Sequence, residues 1–161
     1  MSVPPLAAWS DDEPWPDGCT LFVPFQDPEN VGAVIRSAAA FGVTRVVLLR
    51  EAAHPFHPRS SRAAGPALFQ VPLLQGPSIH DLGSRHVPMI ALDTSGPELS
   101  ECPFPTRFGL VAGLEGPGLP EPLRQGERRR IAMVPGVESL NAGTAVAIAL
   151  YAWSRERAGG G

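Results

Sequence analysis

The most informative stretch of this 161-residue sequence is residues 131–145, which read IAMVPGVESLNAGTA. Residues 130–134 form an apolar run of strand length, and Pro135 and Gly136 are residue types that end a strand in a turn. Ser139 and Asn141 are typical residues at the start of a helix, so we predict a long helix over residues 139–157. A strand, a tight loop and a helix in succession are a unit of an α/β fold.

Upstream of this stretch, apolar runs of strand length alternate with segments of helical periodicity. The runs are mostly continuous rather than alternating, as in strands that are buried on both faces of a parallel sheet. We therefore predict an α/β fold with a mostly parallel sheet flanked by helices. The predicted strands are residues 20–25, 45–49, 69–73, 87–92, 108–112 and 130–134. The predicted helices are residues 31–41, 60–68, a weak one at 78–83, a short one after Pro120, and 139–157.

Residues 1–18 differ from the remainder because they are rich in proline and acidic side chains. We predict that they form an irregular N-terminal arm, and that Trp9 and Trp15 pack on the body of the protein or on a partner. Residues 19–161 are predicted to form a single domain, which is an ordinary size for one domain.

Two further motifs precede the opening stretch. Residues 27–42 read DPENVGAVIRSAAAFG, a helix that we expect Asn30 to cap and Gly42 to end. Gly32 and Arg36 lie four residues apart and so share a helix face, where the glycine leaves room for a backbone or a substrate. By itself this motif could be a capped helix with one solvent-facing arginine. Residues 110–119 read LVAGLEGPGL, a buried strand that enters a glycine-rich loop carrying Glu115; the spacing does not fit a Rossmann dinucleotide site.

Together with residues 59–67, RSSRAAGPA, these motifs resemble in type and order those of the SpoU/TrmH branch of the SPOUT (α/β-knot) methyltransferases. The resemblance covers residues 19–153. It implies a parallel sheet with a deep trefoil knot near the C-terminus, here at about residues 108–157. It also implies a homodimer with active sites at the subunit interface.

The activity implied by the resemblance is that of an RNA (ribose-2′-O)-methyltransferase, which uses S-adenosylmethionine to methylate tRNA or rRNA. The implied catalytic residues are Arg36, Asn30, Glu115, Ser139 and Asn141. The implied cofactor-binding residues are Ala112, Gly113, Leu114, Gly116, Ile131, Met133, Ser139 and Leu140. The predicted RNA contacts are Arg36, Arg59, Arg62 and Arg128, although the run at residues 128–130 could equally be a solvated strand entry.

The resemblance places the catalytic arginine of the family at Arg36. A guanidinium group with a pKa above about 12 is a poor general base. We therefore hypothesise that Arg36 stays charged, binds the neighbouring phosphate and stabilises the alkoxide as it forms, while the proton leaves through water.

Composition limits the remaining possibilities. The net charge of −3 and the pI of 5.8 argue against RNA binding through bulk charge, and all 13 basic residues are arginine. The sequence predicts neither a signal peptide nor a membrane span, so we expect a cytoplasmic protein. The two cysteines suggest no disulfide framework. His54 and His57 are flanked by proline and have no partners at metal-ligand spacing, so we expect no metal.

Three alternatives stay open. A non-catalytic RNA-binding or assembly factor on the same scaffold is favoured by the acidic pI, but the candidate polar residues oppose it. A base methyltransferase of the wider knotted superfamily is opposed by the motif that contains Arg36. An unrelated α/β nucleotide-binding enzyme has little positive support in the sequence.

Overall fold

Among the residues that the structure describes, seven strands form one sheet, in which all the paired strands are parallel and the order is β1-β4-β3-β2-β6-β5-β7. The computed structural model describes residues 5–82, 87–113 and 118–159. The strands are β1 (Ala7–Ala8), β2 (Gly18–Val23), β3 (Arg45–Leu48), β4 (Leu73–Gln75), β5 (Met89–Leu92), β6 (Arg107–Ala112) and β7 (Glu127–Arg129). The α-helices are α1 (Pro28–Phe41), α2 (Pro58–Ala64), α3 (Glu121–Arg124) and α4 (Ala142–Gly159), with 3₁₀ turns at Gly65–Phe69, Ile79–Asp81 and Leu99–Glu101. The predicted α/β class with a mostly parallel sheet is confirmed.

The core lies on both faces of the sheet, which explains why the strands read as continuous apolar runs. Successive side chains of a strand point to opposite faces. In β2, Leu21 and Val23 belong to one buried cluster and Phe22 belongs to the other. In β6, Leu110 belongs to the first cluster and Val111 to the second.

Helix α1 begins three residues earlier than predicted. Asp27, not Asn30, is its N-cap, because the Asp27 carboxylate accepts a hydrogen bond of 2.9 Å from the backbone N–H of Glu29. Pro28 occupies the first turn, where its fixed φ suits the helix and its missing N–H costs nothing. The predicted stop at Gly42 is confirmed, since this residue has a φ of 79° and caps the helix in the left-handed conformation.

Close packing of α2 against α1 depends on Gly32. A Cβ atom at Gly32 would lie 2.2 Å from the carbonyl oxygen of Ser60 and 2.6 Å from the Cβ of Ala63. The room that the sequence predicts beside this glycine is therefore used by the backbone of α2. This contact fixes the position of the arginines on α2 relative to the first turn of α1.

Two strands lie at positions that differ from the prediction. Residues 69–73 were expected to be a strand, but the 3₁₀ turn ends at Phe69 and β4 begins only at Leu73, after Pro72, which has no N–H for the ladder. The predicted strand at 130–134 is wrong as well, because β7 ends at Arg129. Its partner β5 ends at Leu92, opposite Arg129, and beyond this point Arg130 makes only an isolated parallel bridge to Glu98.

Helix α4 begins at Ala142 rather than at residue 139. The Asn141 side chain accepts a hydrogen bond of 3.1 Å from the backbone N–H of Thr144 and so caps the helix, whereas Ser139 lies in the segment before it. Capping by Asn141 is confirmed and capping by Ser139 is wrong, because residues 139 and 140 lie outside the helical backbone.

The segment predicted to be an irregular arm contains one short strand, β1, which pairs with Leu74 and Gln75 at the sheet edge. Trp9 and Trp15 pack on Phe22, with ring centroids 5.3 and 5.9 Å from the phenylalanine ring. The prediction that the two tryptophans pack on the body is confirmed. Among the described residues, no helix is both long enough and apolar enough to cross a membrane.

Candidate active site

A cavity of about 570 Å³ opens at the carboxyl edge of the sheet, beyond the ends of β5 and β6. The carboxyl edge of a parallel sheet is where open α/β folds bind their ligands. Six of the predicted cofactor-binding residues line this cavity: Ala112, Gly113, Ile131, Met133, Ser139 and Leu140. The two others, Leu114 and Gly116, lie outside the described residues, as does the predicted catalytic residue Glu115.

The apolar side of the cavity comes from the run that the sequence assigned to a strand. Ile131 and Met133 do not continue β7 but line the cavity with Leu140. Leu92, at the end of β5, adds a further apolar side chain. A mostly apolar wall with few polar groups is typical of a site for a small organic molecule, such as one that carries an aromatic base.

The two described ends of the glycine-rich loop after β6, at Gly113 and Gly118, lie close to each other. A Cβ atom at Gly113 would lie 3.0 Å from the carbonyl carbon of Gly118 and 3.1 Å from the backbone nitrogen of Leu119. Glycine at position 113 therefore allows the chain to leave the strand and return beside it, and both glycines line the cavity.

A second cavity, of about 450 Å³, lies between the first turn of α1 and helix α2. Asn30 from α1 and the arginines Arg59 and Arg62 from α2 line it, so the structure brings these three predicted residues together. The carboxylate-bearing residues Asp27 and Glu29 also line it, so side chains of both charges surround the cavity. Asn141 lines both this cavity and the first one.

Asn141 and Asn30 are joined directly. The Nδ2 atom of Asn141 donates a hydrogen bond of 3.3 Å to Oδ1 of Asn30, while Oδ1 of Asn141 accepts from the N–H of Thr144. Because Asp27 caps α1, the Asn30 side chain points toward Asn141 instead of capping its own helix. Gly143 leaves space for the pair, since a Cβ atom there would lie 3.3 Å from Oδ1 of Asn141 and 3.4 Å from Oδ1 of Asn30.

Arg36 lies apart from this constellation. It is exposed on α1 and is not among the described residues that line either cavity. It lies six positions after Asn30 in the helix, which corresponds to about 9 Å along a helix axis. Within one chain, Arg36 therefore lies more than one helical turn of α1 away from Asn30.

Arg129 is a residue that the sequence analysis missed. It was grouped with a possible solvated strand entry, but its side chain is only 2% exposed and it lines the first cavity. Its guanidinium group donates 3.0 Å hydrogen bonds to the carbonyl oxygens of Cys102 and Pro103, pairs with Glu127 at 2.7 Å and lies over the ring of Phe104. These contacts hold β7 against the segment that leads into β6. The run of three arginines in the sequence does not predict them.

Arg128, which the sequence predicts to contact RNA, has partners within the chain. Its Nη1 atom lies 3.3 Å from the Asp93 carboxylate and 2.8 Å from Oγ of Ser95. Asp93 and Thr94 line the first cavity directly after β5, so this ion pair holds a wall of the cavity. Their position could have been inferred from the sheet, because the carboxyl ends of neighbouring parallel strands lie at the same edge.

The two histidines of the HPFHP sequence act on the local backbone. Nδ1 of His54 accepts a hydrogen bond from the N–H of Phe56, and Nδ1 of His57 accepts one from the N–H of Arg59 and thereby caps α2. Across residues 5–82, 87–113 and 118–159, no group of three or more His, Cys, Asp or Glu side chains is arranged to hold a metal ion.

An all-parallel sheet with two adjoining cavities at its carboxyl edge defines an α/β protein that binds ligands at this edge. Residues 20–151 match the family model described as the SpoU rRNA Methylase family. The chain belongs to this family, as the motifs around Asn30 and Asn141 predicted.

Three similar proteins illustrate the relationship. The chain is 52% identical over 155 residues to the Ribosomal RNA small subunit methyltransferase G 2 of Syntrophobacter fumaroxidans, covering 96% of this chain and 31% of that protein. It superimposes with a TM-score of 0.81 and 27% identity on the SpoU methyltransferase AviRb of Streptomyces viridochromogenes, which was crystallised in complex with the cofactor AdoMet; 95% of this chain and 66% of that chain are covered. A structure that concerns 2-OH methylation of C/U34 on tRNA matches with a TM-score of 0.78 and 30% identity over 89% of this chain and 98% of that one.

The matches differ in how much of each similar protein they cover. The chain spans about a third of the length of the Syntrophobacter protein, so the name of that protein does not assign a reaction to the matched segment. The match to the structure concerned with tRNA covers nearly the whole of that chain.

Proposed function

We propose that this chain transfers a methyl group from S-adenosylmethionine to a ribose 2′-hydroxyl of RNA, either tRNA or rRNA. The observation that carries the proposal is the position of Asn141, which lines both cavities and donates a hydrogen bond to Asn30. A transfer between two bound molecules needs two adjoining sites, and this side chain lies at their junction.

The first cavity fits S-adenosylmethionine. Its apolar wall, which includes Ile131, Met133 and Leu140, suits the adenine, and Gly113 and Gly118 allow backbone atoms to come close to the cofactor. When bound, S-adenosylmethionine supplies a methyl group on a sulfonium, from which the neutral thioether S-adenosylhomocysteine is a good leaving group. The similar structure of AviRb in complex with AdoMet supports this assignment.

The second cavity fits the acceptor nucleotide. Arg59 and Arg62 present guanidinium groups that can hold phosphate oxygens in bidentate fashion. The paired amides of Asn30 and Asn141 can orient the ribose hydroxyl toward the first cavity. Glu115 and Ser139 keep their predicted supporting roles, whereas we leave Arg128 out of the RNA contacts because its guanidinium group pairs with Asp93.

Arg36 completes the site across a subunit interface in this proposal. The exposed Arg36 lies on α1, beside helix α4, which presents the exposed apolar side chains Ile148 and Tyr151. A homodimer that buries this surface can bring Arg36 to the acceptor site of the partner. There the charged guanidinium binds a phosphate and stabilises the alkoxide, and the proton leaves through water.

The proposal includes a single catalytic domain over residues 19–161, preceded by the arm of residues 1–18, with the trefoil knot at about residues 108–157. We also propose a cytoplasmic location, where tRNA and rRNA are accessible.

The test is methyl transfer from isotopically labelled S-adenosylmethionine to unmodified total RNA, followed by nucleoside analysis. We expect label in a 2′-O-methyl nucleoside, and loss of that label in Arg36→Ala. Arg50→Ala is the matched control, because Arg50 is an exposed arginine that lines neither cavity. Arg36→Lys separates the two roles of the guanidinium group: appreciable residual activity indicates a need for charge, and near-complete loss indicates a need for the planar fork.

Two results contradict the proposal. Label in a methylated base would identify a base methyltransferase. Absence of label in every RNA fraction, with cofactor binding confirmed by calorimetry, would favour the non-catalytic RNA-binding factor on the same scaffold.

A further inference from the structure

Helix α2 and the segments on either side of it carry aromatic side chains that the proposed reaction does not use. His54 and Phe56 precede α2, and Phe69 follows it at the end of the 3₁₀ turn. We refer to these three side chains as the aromatic platform. The helix between them carries Arg59 and Arg62, which line the acceptor cavity.

The Phe56 ring lies between the other two rings of the platform and contacts both of them. The Phe56 ring centroid lies 5.7 Å from that of His54 and 6.5 Å from that of Phe69, with interplanar angles of 35° and 43°. Phe56 is half-buried against the main core cluster, so the platform is fixed to the body of the protein. Nδ1 of His54 accepts a hydrogen bond from the backbone N–H of Phe56, which holds the imidazole ring next to Phe56.

Phe69 is the exposed end of the platform, with 81% of its surface accessible. Its neighbours Leu68 and Val71 are buried, so the local backbone could place an apolar side chain in the core but directs this ring outward. An exposed phenylalanine contributes little to the stability of the isolated chain, and its open face is available to a binding partner.

The charges around the platform favour RNA over protein as that partner. The cores of protein–protein interfaces are depleted in charged residues, whereas sites for unpaired nucleotides combine basic side chains with exposed aromatic rings. Here Arg59 and Arg62 lie on the helix that the platform flanks, only three and six residues beyond Phe56 in the chain. One stretch of 16 residues, His54 to Phe69, therefore supplies both groups that bind a nucleotide: cations for the phosphate and a flat ring for the base.

We propose that the aromatic platform stacks an unpaired base of the RNA substrate, next to the nucleotide whose phosphate Arg59 and Arg62 hold. This inference rests on the proposed function and specifies its substrate class: RNA in which a nucleotide adjacent to the acceptor is unpaired, in a loop or a single strand. Bases inside an A-form helix are stacked on one another and do not offer a free face to Phe69.

The test measures RNA affinity by fluorescence anisotropy with two labelled probes, an unstructured single-stranded RNA oligonucleotide and a duplex of the same sequence. For Phe69→Ala we expect single-strand affinity about tenfold weaker, because loss of one base–aromatic stack weakens binding by roughly 5- to 150-fold. Phe69→Leu should be as weak as Phe69→Ala, since leucine keeps the apolar surface but has no flat face. Phe69→Tyr should bind as the unaltered protein does, and the duplex affinity should not differ among the variants.

Single-strand affinity that is unchanged in Phe69→Ala, or fully retained in Phe69→Leu, overturns the inference, as does an equal loss for the duplex. Sedimentation of the same variants tests the competing occupant: dissociation of a dimer by Phe69→Ala would assign the platform to a second copy of the chain and would also overturn it. Methyl transfer to total RNA by the unaltered protein is scored separately. If transfer occurs while Phe69→Ala retains its RNA affinity, only the platform is wrong; if transfer never occurs, the proposed function fails regardless of the anisotropy result.

Discussion

Replacement of Asn141 by aspartate or alanine can separate the two hydrogen bonds that this side chain makes. Its Oδ1 atom caps α4 through the N–H of Thr144, and its Nδ2 atom donates to Oδ1 of Asn30. Aspartate keeps the capping oxygen, loses the donor and adds a negative charge at the junction of the two cavities. Alanine removes both interactions.

The two variants should differ in the stability that they lose. Loss of an N-cap costs about 1 kcal/mol, which corresponds to a fall of about 2–4 °C in Tm for a protein of this size. Asn141→Ala should show this fall, whereas Asn141→Asp should keep Tm within about 1 °C of the unaltered protein, because Asp and Asn are comparable N-caps. Both variants should lose methyl transfer, since neither can donate to Asn30.

Differential scanning calorimetry and the labelled-methyl assay on the same preparations check this prediction. Asn141→Ser is a third variant, expected to keep most of the stability because serine also caps helices, and to lose activity because its hydroxyl is too short to reach Asn30. The reasoning is refuted if Asn141→Asp loses as much stability as Asn141→Ala. It is also refuted if Asn141→Asp keeps full methyl transfer, because the bond to Asn30 would then have no functional role.

Two further predictions concern the frame around the site. Gly32→Ala should lower the free energy of unfolding by about 1–3 kcal/mol and weaken RNA binding, because its Cβ would lie 2.2 Å from the Ser60 carbonyl oxygen and would displace α2. Thermal unfolding measures the first effect and fluorescence anisotropy measures the second. Gly126→Ala is the control, because its Cβ would meet only the Leu123 carbonyl oxygen, at 3.6 Å. Burial opposes ionisation of Glu51, but hydrogen bonds from the Ser78 hydroxyl and the N–H of Ile79 outweigh it and lower the pKa of the carboxyl group from 4.5. The resulting stabilisation of the folded state is complete above pH 4.5 and is lost as the pH falls through the lowered pKa. Below pH 4.5, Tm should therefore fall more steeply in the unaltered protein than in Glu51→Gln. Parallel curves of Tm against pH would contradict this account.

The sequence was most informative where a ligand cavity is built from consecutive residues. Ile131, Met133 and Leu140 were assigned to the cofactor from the order of the motifs, and all three line the first cavity. The same apolar run was assigned to a strand, which the structure contradicts. Apolar periodicity reports that side chains avoid water, and it does not distinguish a wall of a cavity from a strand in a sheet.

Features that depend on distant contacts could not be predicted from local patterns. Three arginines in a row indicate exposure, yet Arg129 is buried because the carbonyl oxygens of Cys102 and Pro103, 27 and 26 residues away, accept its N–H groups. The second cavity likewise depends on the approach of α2 to Gly32. The cap at Asp27 could have been found locally, since an aspartate followed by proline is a typical helix start.

The order of the strands explains why the two cavities adjoin. From β2 the chain builds outward through β3 to β4 on one side, and it later places β6 on the other side of β2. Such a reversal opens a crevice between the neighbouring strands at their carboxyl ends. The first turn of α1, which follows β2, brings Asn30 to one side of this crevice, and the loop after β6 brings Gly113 to the other. Helix α4 packs against α1, so Asn141 at its N-terminus lies between the two sites. The hydrogen bond between the asparagines is thus a consequence of the topology, and a substitution that moves either helix should uncouple the two cavities even where it changes no residue that lines them.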